Sequence, residues 1–290
     1  MKTLKEYLRE AEAKKTAIGH FNISELTALK AIVEAARETG APVLIGVSEG
    51  EREFIGVKQV VALIKSLREE YDIPLFLNAD HTHSLEKIKE AAEAGFDEVI
   101  FDGSALSLEE NIAETKKAVE IAKSINPEIV VEGEIGYIGS SSEIIKDDKD
   151  AERIAMSLTT PEEAEKFVKE TGIDVLAPAV GNRHGLLPAM ARGEMFKRLD
   201  IARIKTIKEA VKIPLTLHGG SGTADEDFVS AIEAGMAIVH VSTELRIAWR
   251  KGVESGLKDK PDEVAPYKIL PPAVSAIKEV VLGRLKLFNQ

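Results

Sequence analysis

Eight short, β-rich apolar runs alternate with amphipathic helical stretches along this chain, and no other feature constrains its fold as tightly. The runs fall at 16–22, 42–48, 74–80, 98–102, 129–136, 175–181, 214–218 and 237–243. Helical patterns at 25–39, 85–94, 108–124, 161–171 and 225–234 lie between them. Several carry start signals: Thr160 places a capping hydroxyl before Pro161, and Ser107 precedes Glu109 and Glu110. Parallel strands need helical crossovers, so eight such units without a compositional break predict an α/β fold. The expected architecture is a (β/α)8 TIM barrel with an N-terminal helix and an extra C-terminal helix, one domain over 1–290. An open doubly wound sheet usually has fewer strands, and no GxGxxG follows the first run. Two segments escape the alternation. Residues 137–157 form a polar loop of the kind that becomes an active-site flap, its acids Asp147, Asp148 and Asp150 reading as a solvated run. Residues 265–290 read as a capping or oligomer helix.

Composition narrows the function. The 290 residues, 44% hydrophobic and 30% charged, suit one large barrel with an ample core. No apolar run approaches the roughly 18 residues that span a bilayer, and the charged start MKTLKEYLREAEAKKTA has no signal-peptide core. A cytoplasmic chain without a membrane partner is expected. Cysteine is absent, so a zinc site would have to use His and carboxylates. The net charge of −11 disfavours nucleic acid, which needs a basic stripe. It still permits a phosphorylated metabolite, held by backbone N–H groups and a few focused cations.

All six histidines, His20, His81, His83, His184, His218 and His240, fall in or just after the C-terminal half of a predicted strand. In a parallel barrel those strand ends converge on the face where barrel active sites are built. One histidine there reads as a satisfied rim residue; six placed independently point to a site. Acids join them: Asp80 directly precedes His81, and Glu132 and Glu134 share one strand face at period two. Three imidazoles from different strands can hold Zn2+ and leave a position open for substrate, with Glu134 as an occasional ligand or an orienting group.

Two motifs suggest an anion. LHGGSG, from Leu217 to Gly222, lets N–H groups around Ser221 converge on a phosphate; alone it is also an ordinary tight turn. VSTELR adds Ser242, Thr243 and a helix start, which by itself is an ordinary cap. Together they flank the last two strands, where barrels of this type hold phosphates. A metal site beside a phosphate nest suggests Lewis-acid chemistry on a phosphorylated carbonyl compound.

The ordered motifs GHFN, PVLIGVSEG, DHTHS, FDGSALSLEEN, EGEIGYIG, GNRHG, LHGGSG and VSTELR resemble the class II (zinc-dependent) ketose-bisphosphate aldolases over nearly the whole chain. That resemblance implies reversible cleavage of fructose 1,6-bisphosphate to dihydroxyacetone phosphate and glyceraldehyde 3-phosphate, a step of glycolysis and gluconeogenesis. It implies His81, His184 and His218 as zinc ligands, with Glu134 able to approach the ion, and Asp80 as the acid/base that takes the C4 hydroxyl proton. Gly185, Gly219, Gly220, Ser221, Ser242 and Thr243 resemble the phosphate cradle, often completed by a monovalent cation, Na+ or K+. Arg246 resembles the arginine for the far phosphate, commonly reaching across a homodimer or homotetramer interface, and Asn22 and Ser48 fall at substrate contacts.

The chain departs from the family on the last strand, where K-x-N-[VI]-[DSA]-T-[DE] is usual and this sequence has Ile238, His240 and Ser242. His240 takes the place of an asparagine that contacts substrate, and Ser242 is closer to tagatose-bisphosphate relatives. Another ketose phosphate, or a metabolite-binding barrel without chemistry, therefore stays open as an alternative. The flap reads Gly139-Ser140-Ser141-Ser142-Glu143, making Glu143 the candidate proton donor, while His83 shares a strand face with His81 and lines the pocket.

Overall fold

The computed structural model describes residues 2–139, 143–145 and 151–290. Among these residues eight strands form a closed parallel barrel in chain order. They are β1 (Ile18–Asn22), β2 (Val43–Val47), β3 (Leu75–Thr82), β4 (Glu98–Phe101), β5 (Val130–Ile135), β6 (Val175–Pro178), β7 (Leu215–Leu217) and β8 (Met236–Val241). Six predicted runs contain their strands, while β3 continues past its predicted end to Thr82 and β8 starts one residue early at Met236; β8 closes on β1 with His20 paired to His240. Among the described residues no helix is long and apolar enough to cross a membrane.

The helices begin with α1 (Leu4–Lys14), α2 (Leu26–Thr39), α3 (Glu49–Ile55), α4 (Val57–Tyr71), α5 (Leu85–Ala94), α6 (Leu108–Ile125) and α7 (Ala151–Met156). They continue with α8 (Pro161–Thr171), α9 (Pro188–Ala191), α10 (Ile201–Val211), α11 (Asp225–Ala234), α12 (Thr243–Asp259), α13 (Pro266–Ile269) and α14 (Pro271–Phe288). Local chemistry sets many boundaries. Capping boxes start α1 at Thr3, α6 at Ser107 and α8 at Thr160, and left-handed glycines end α2, α5 and α8.

Helix α1 closes the N-terminal mouth. Its buried Leu4, Leu8 and Ala11 pack on Ile18, Leu44, Phe76, Val130 and Val175, the lowest inward-facing layer of the barrel. The tail is a member of the outer ring, which its sequence did not reveal. Helix α14 packs against α2, α12 and β1, burying Ala273, Ile277, Val281, Leu285 and Phe288. Close approach needs glycine on the facing helix: a Cβ at Gly252 would lie 2.3 Å from the Ala273 Cα. Phe288 meets Phe228 edge-on at 5.3 Å, and its carbonyl accepts the Ala17 N–H at 2.9 Å. Replacing Phe288 by alanine should therefore cost about 3–5 kcal/mol in urea unfolding, without changing catalysis by the folded fraction.

Candidate metal centre and phosphate cradle

Neighbouring side chains on a regular strand face opposite sides, so Asp80 and His81 need a break in β3 to serve one cavity. His81 supplies it with a left-handed backbone, φ 39°, and the β3–β4 register shifts between Ala79 and Thr82. Both side chains then line one cavity of about 440 Å3 at the C-terminal face. Buried Arg52 secures the bulge, donating to the carbonyls of Val47 (2.6 Å) and Asp80 (3.2 Å) and to Thr82 Oγ1 (3.0 Å).

Asn22 Nδ2 donates to Asp80 Oδ2 at 2.8 Å and to Glu51 Oε2 at 3.0 Å. Glu51 also accepts from the Ser48 N–H and hydroxyl and from Arg246. One buried carboxylate thus ties three predicted substrate residues into the wall beside Asp80. Burial raises the Asp80 pKa, but His81, His20, His218 and the Asn22 hydrogen bond outweigh it and hold the carboxyl well below its usual range.

His81, His184 and His218 offer ring nitrogens that all lie within 4.8 Å of one another. Around them sit carboxylates: Asp102 at 2.8 Å from His81 Nδ1 and Glu132 at 2.7 Å from His218 Nε2. With those nitrogens donating, His81 Nε2 and His218 Nδ1 face each other at 3.3 Å. Neutral imidazoles in these tautomers would oppose two lone pairs there, an arrangement relieved either by a second proton on His81 or by a metal ion that displaces it. The His81–His218 separation suits a tetrahedral ion with bonds of about 2.0–2.1 Å to nitrogen, whose ligand atoms sit roughly 3.3 Å apart. Glu134 is buried, its Oε2 lacks a hydrogen-bond partner among the described residues, and it lies 3.6 Å from both His81 Nδ1 and His218 Nδ1. The donor set therefore fits a divalent cation. Burial and then His81 push His218 down to about 3. Burial also lowers His81, but Asp80, Asp102 and Glu134 outweigh it and raise its imidazole well above the usual value.

His240 stacks on His20 with ring centroids 3.4 Å apart and on His218 at 4.0 Å. The His20 ring lies over Gly46, where a Cβ would meet it at 2.1 Å. His20 thus belongs to the barrel interior below the mouth. His83 lies past the end of β3 rather than on a strand face shared with His81; it is exposed and lines the cavity rim.

A smaller adjoining cavity is lined by Gly185, Gly219, Ser221, His240, Ser242 and Thr243. Gly219 has φ +59°, and a Cβ at Gly220 would lie 2.7 Å from the His240 oxygen, so both positions favour glycine. The Ser221 hydroxyl accepts from the N–H groups of Ser242 (3.2 Å) and Glu244 (3.3 Å), joining the loop after β7 to the start of α12. Glu143 is exposed and lines neither cavity; its backbone pairs with Leu186. Its neighbours Ser140, Ser141, Ser142, Asp147, Asp148 and Asp150 lie outside the described residues. A larger hollow of about 650 Å3 opens at the opposite end beside α1, on the face that barrels use for stability.

Sequence reading assigned no role to Asp102, Glu51 or Lys197. Asp102 carried the same strand-end signal as Asp80, and Ser48 with Glu51 has capping-box spacing.

Residues 2–290 match the family model described as fructose-bisphosphate aldolase class-II. The chain is 39% identical to the fructose-bisphosphate aldolase of Geobacillus stearothermophilus, covering 99% of this chain and 96% of the relative. It is 38% identical to that of Staphylococcus aureus (strain Mu50 / ATCC 700699), with the same coverage. The crystal structure of the YdjI aldolase from Escherichia coli K12 superposes with a TM-score of 0.81 at 30% identity, over 98% of this chain and 96% of that one.

Two measurements probe the metal centre. Because His81 holds its proton tightly, metal uptake by the apoprotein near neutral pH should release a proton, and affinity should fall about tenfold per pH unit below the His81 pKa. Glu132→Gln should weaken Co2+ binding about 10–100-fold in a chelator competition.

Proposed function

The chain belongs to the class-II fructose-bisphosphate aldolase family, and from that premise we propose that it cleaves fructose 1,6-bisphosphate reversibly with Zn2+. Aldol cleavage yields dihydroxyacetone phosphate and glyceraldehyde 3-phosphate. The observation that carries this reading is the convergence of His81, His184 and His218 beside Asp80, whose carboxylate Asn22 orients. His81, His184 and His218 would hold Zn2+, which when bound would supply Lewis-acid polarisation of the C2 carbonyl.

The chain's own groups do the remaining work. Asp80, kept ionised, takes the C4 hydroxyl proton, and the C4–O bond becomes the aldehyde carbonyl as C3–C4 breaks. The released electron pair stays on the three-carbon fragment, which regains a proton at C3; Glu143 on the flap is the proposed donor. Gly185, Gly219, Gly220, Ser221, Ser242 and Thr243 seat one phosphate, and Arg246 at the rim reaches the other. Asn22 and Ser48, both tied to Glu51, position the sugar between them. The reading takes residues 1–290 as one catalytic domain and includes a homodimer or homotetramer.

Removing metal with a chelator should abolish cleavage and Zn2+ should restore it; full activity in excess chelator would sink the reading. Asp80→Asn should keep its metal while kcat drops about 10^2–10^4-fold.

A second substrate is favoured by His240, which lines the cradle where the family resemblance implies an asparagine. Cleavage of C4-epimeric ketose bisphosphates compared side by side should give a ratio that His240→Asn shifts. An unchanged ratio would remove His240 from specificity.

A further inference from the structure

The loops after β6 and β7 meet at two backbone carbonyls. Gly219 lies so close to Arg183 that a Cβ there would sit 2.3 Å from the Arg183 oxygen. Backbone carbonyl oxygens are ligands for hard cations, so two converging on one point favour a positive charge there. Lys197 fills it from within the chain: its Nζ donates to the Arg183 carbonyl at 2.7 Å and to the Gly219 carbonyl at 2.9 Å. The residue is 3% exposed. Its backbone is tied to the same region, with Lys197 N–H bound to the Gly222 carbonyl at 2.8 Å and a bridge to Thr223.

These loops carry the proposed metal ligand His184 and the cradle residues Gly185, Gly219 and Ser221, yet among the described residues neither Lys nor Arg lines the small cavity itself. A phosphate dianion there, in a chain of net charge −11, calls for positive charge nearby. Burying an ammonium is costly unless its donors are satisfied, which makes its placement under the cradle a specific feature of the fold. We infer that Lys197 is the resident cation of the phosphate cradle: a positioning residue whose ammonium pins the β6 and β7 loops and balances the bound phosphate, in place of a soluble monovalent ion. Burial and then the Arg183 guanidinium lower this amine to about 7; a phosphate dianion in the cradle favours its charged form.

The inference rests on the aldolase reading for the identity of the phosphate, and its test is a binding measurement. Inorganic phosphate is titrated calorimetrically into the zinc-loaded full chain with tetramethylammonium as the sole cation, then with added K+, Na+ or NH4+. Wild-type affinity should not change with the cation. Lys197→Ala should weaken phosphate binding about tenfold or more with zinc content unaltered, raise KM more than it lowers kcat, and recover in NH4+ or K+. Lys197→Met fills the space with an apolar chain and should show the loss without recovery. Wild-type phosphate binding that requires K+ or Na+ overturns the inference, as does a Lys197→Ala loss that no small cation repairs. If Lys197→Ala fails to fold, the wild-type cation series and Lys197→Met decide. A wild type that binds phosphate independently of cations but cleaves no ketose bisphosphate defeats the aldolase reading and supports the cation assignment.

Discussion

The site depends on a break in one strand. A regular β3 would send Asp80 and His81 to opposite faces, separating the proposed acid/base from the proposed ligand beside it. The left-handed residue at His81 turns both toward the mouth. Such a backbone costs about 1–3 kcal/mol and persists only when its surroundings enforce it. Arg52 does so by binding the carbonyl at the break, and α3, which carries Arg52, also carries Glu51. The short helix after β2 therefore shapes both the bulge and the wall of the substrate cavity.

The same logic explains a barrel interior unlike the branched aliphatic layers usual in this architecture. Above the apolar plug formed with α1, the inward positions are His20, Asn78, Glu98, Glu132, Thr216 and His240, all buried. They pair in short groups: Asn78 donates to Glu98, Thr216 to Glu132, Glu132 meets His218, and His20 and His240 stack beside His218. Burial, then the neighbouring Glu132, raises Glu98 well above the ordinary carboxyl range. Such a column is costly to bury, but it fixes the ring orientation of His218, which a looser apolar core would leave free. The α1 plug and the α14 strap on β1 supply apolar burial around it.

Much of this was legible before the fold. The eight strands could be read because parallel barrel strands are buried on both faces and appear as continuous apolar runs bounded by turn residues. The histidines could be read because strand ends in such a barrel share one face. Asp102 and Glu51 were missed for different reasons. Asp102 follows a strand and sits in the FDGSALSLEEN motif, but nothing local shows that it will meet a histidine from β3, whereas Glu51 looks like a helix cap and is one, its second duty arising only where Asn22 of β1 and Arg246 of α12 arrive. Lys197 left no signal, because a lysine in a polar loop reads as solvated until two carbonyls are seen to close on it.

By itself the sequence determined the barrel, the family and the face on which chemistry occurs, since these follow from periodicity and from the order of short motifs. Tertiary structure decided which nitrogen of each histidine faces its neighbours, which carboxylate orients which ring, that the tail is a ring helix, and that Lys197 is buried. Those outcomes depend on contacts between residues far apart in the chain, 14 positions for Lys197 with Arg183 and 137 for His218 with His81, and a local pattern holds no information about which distant groups will share one small volume.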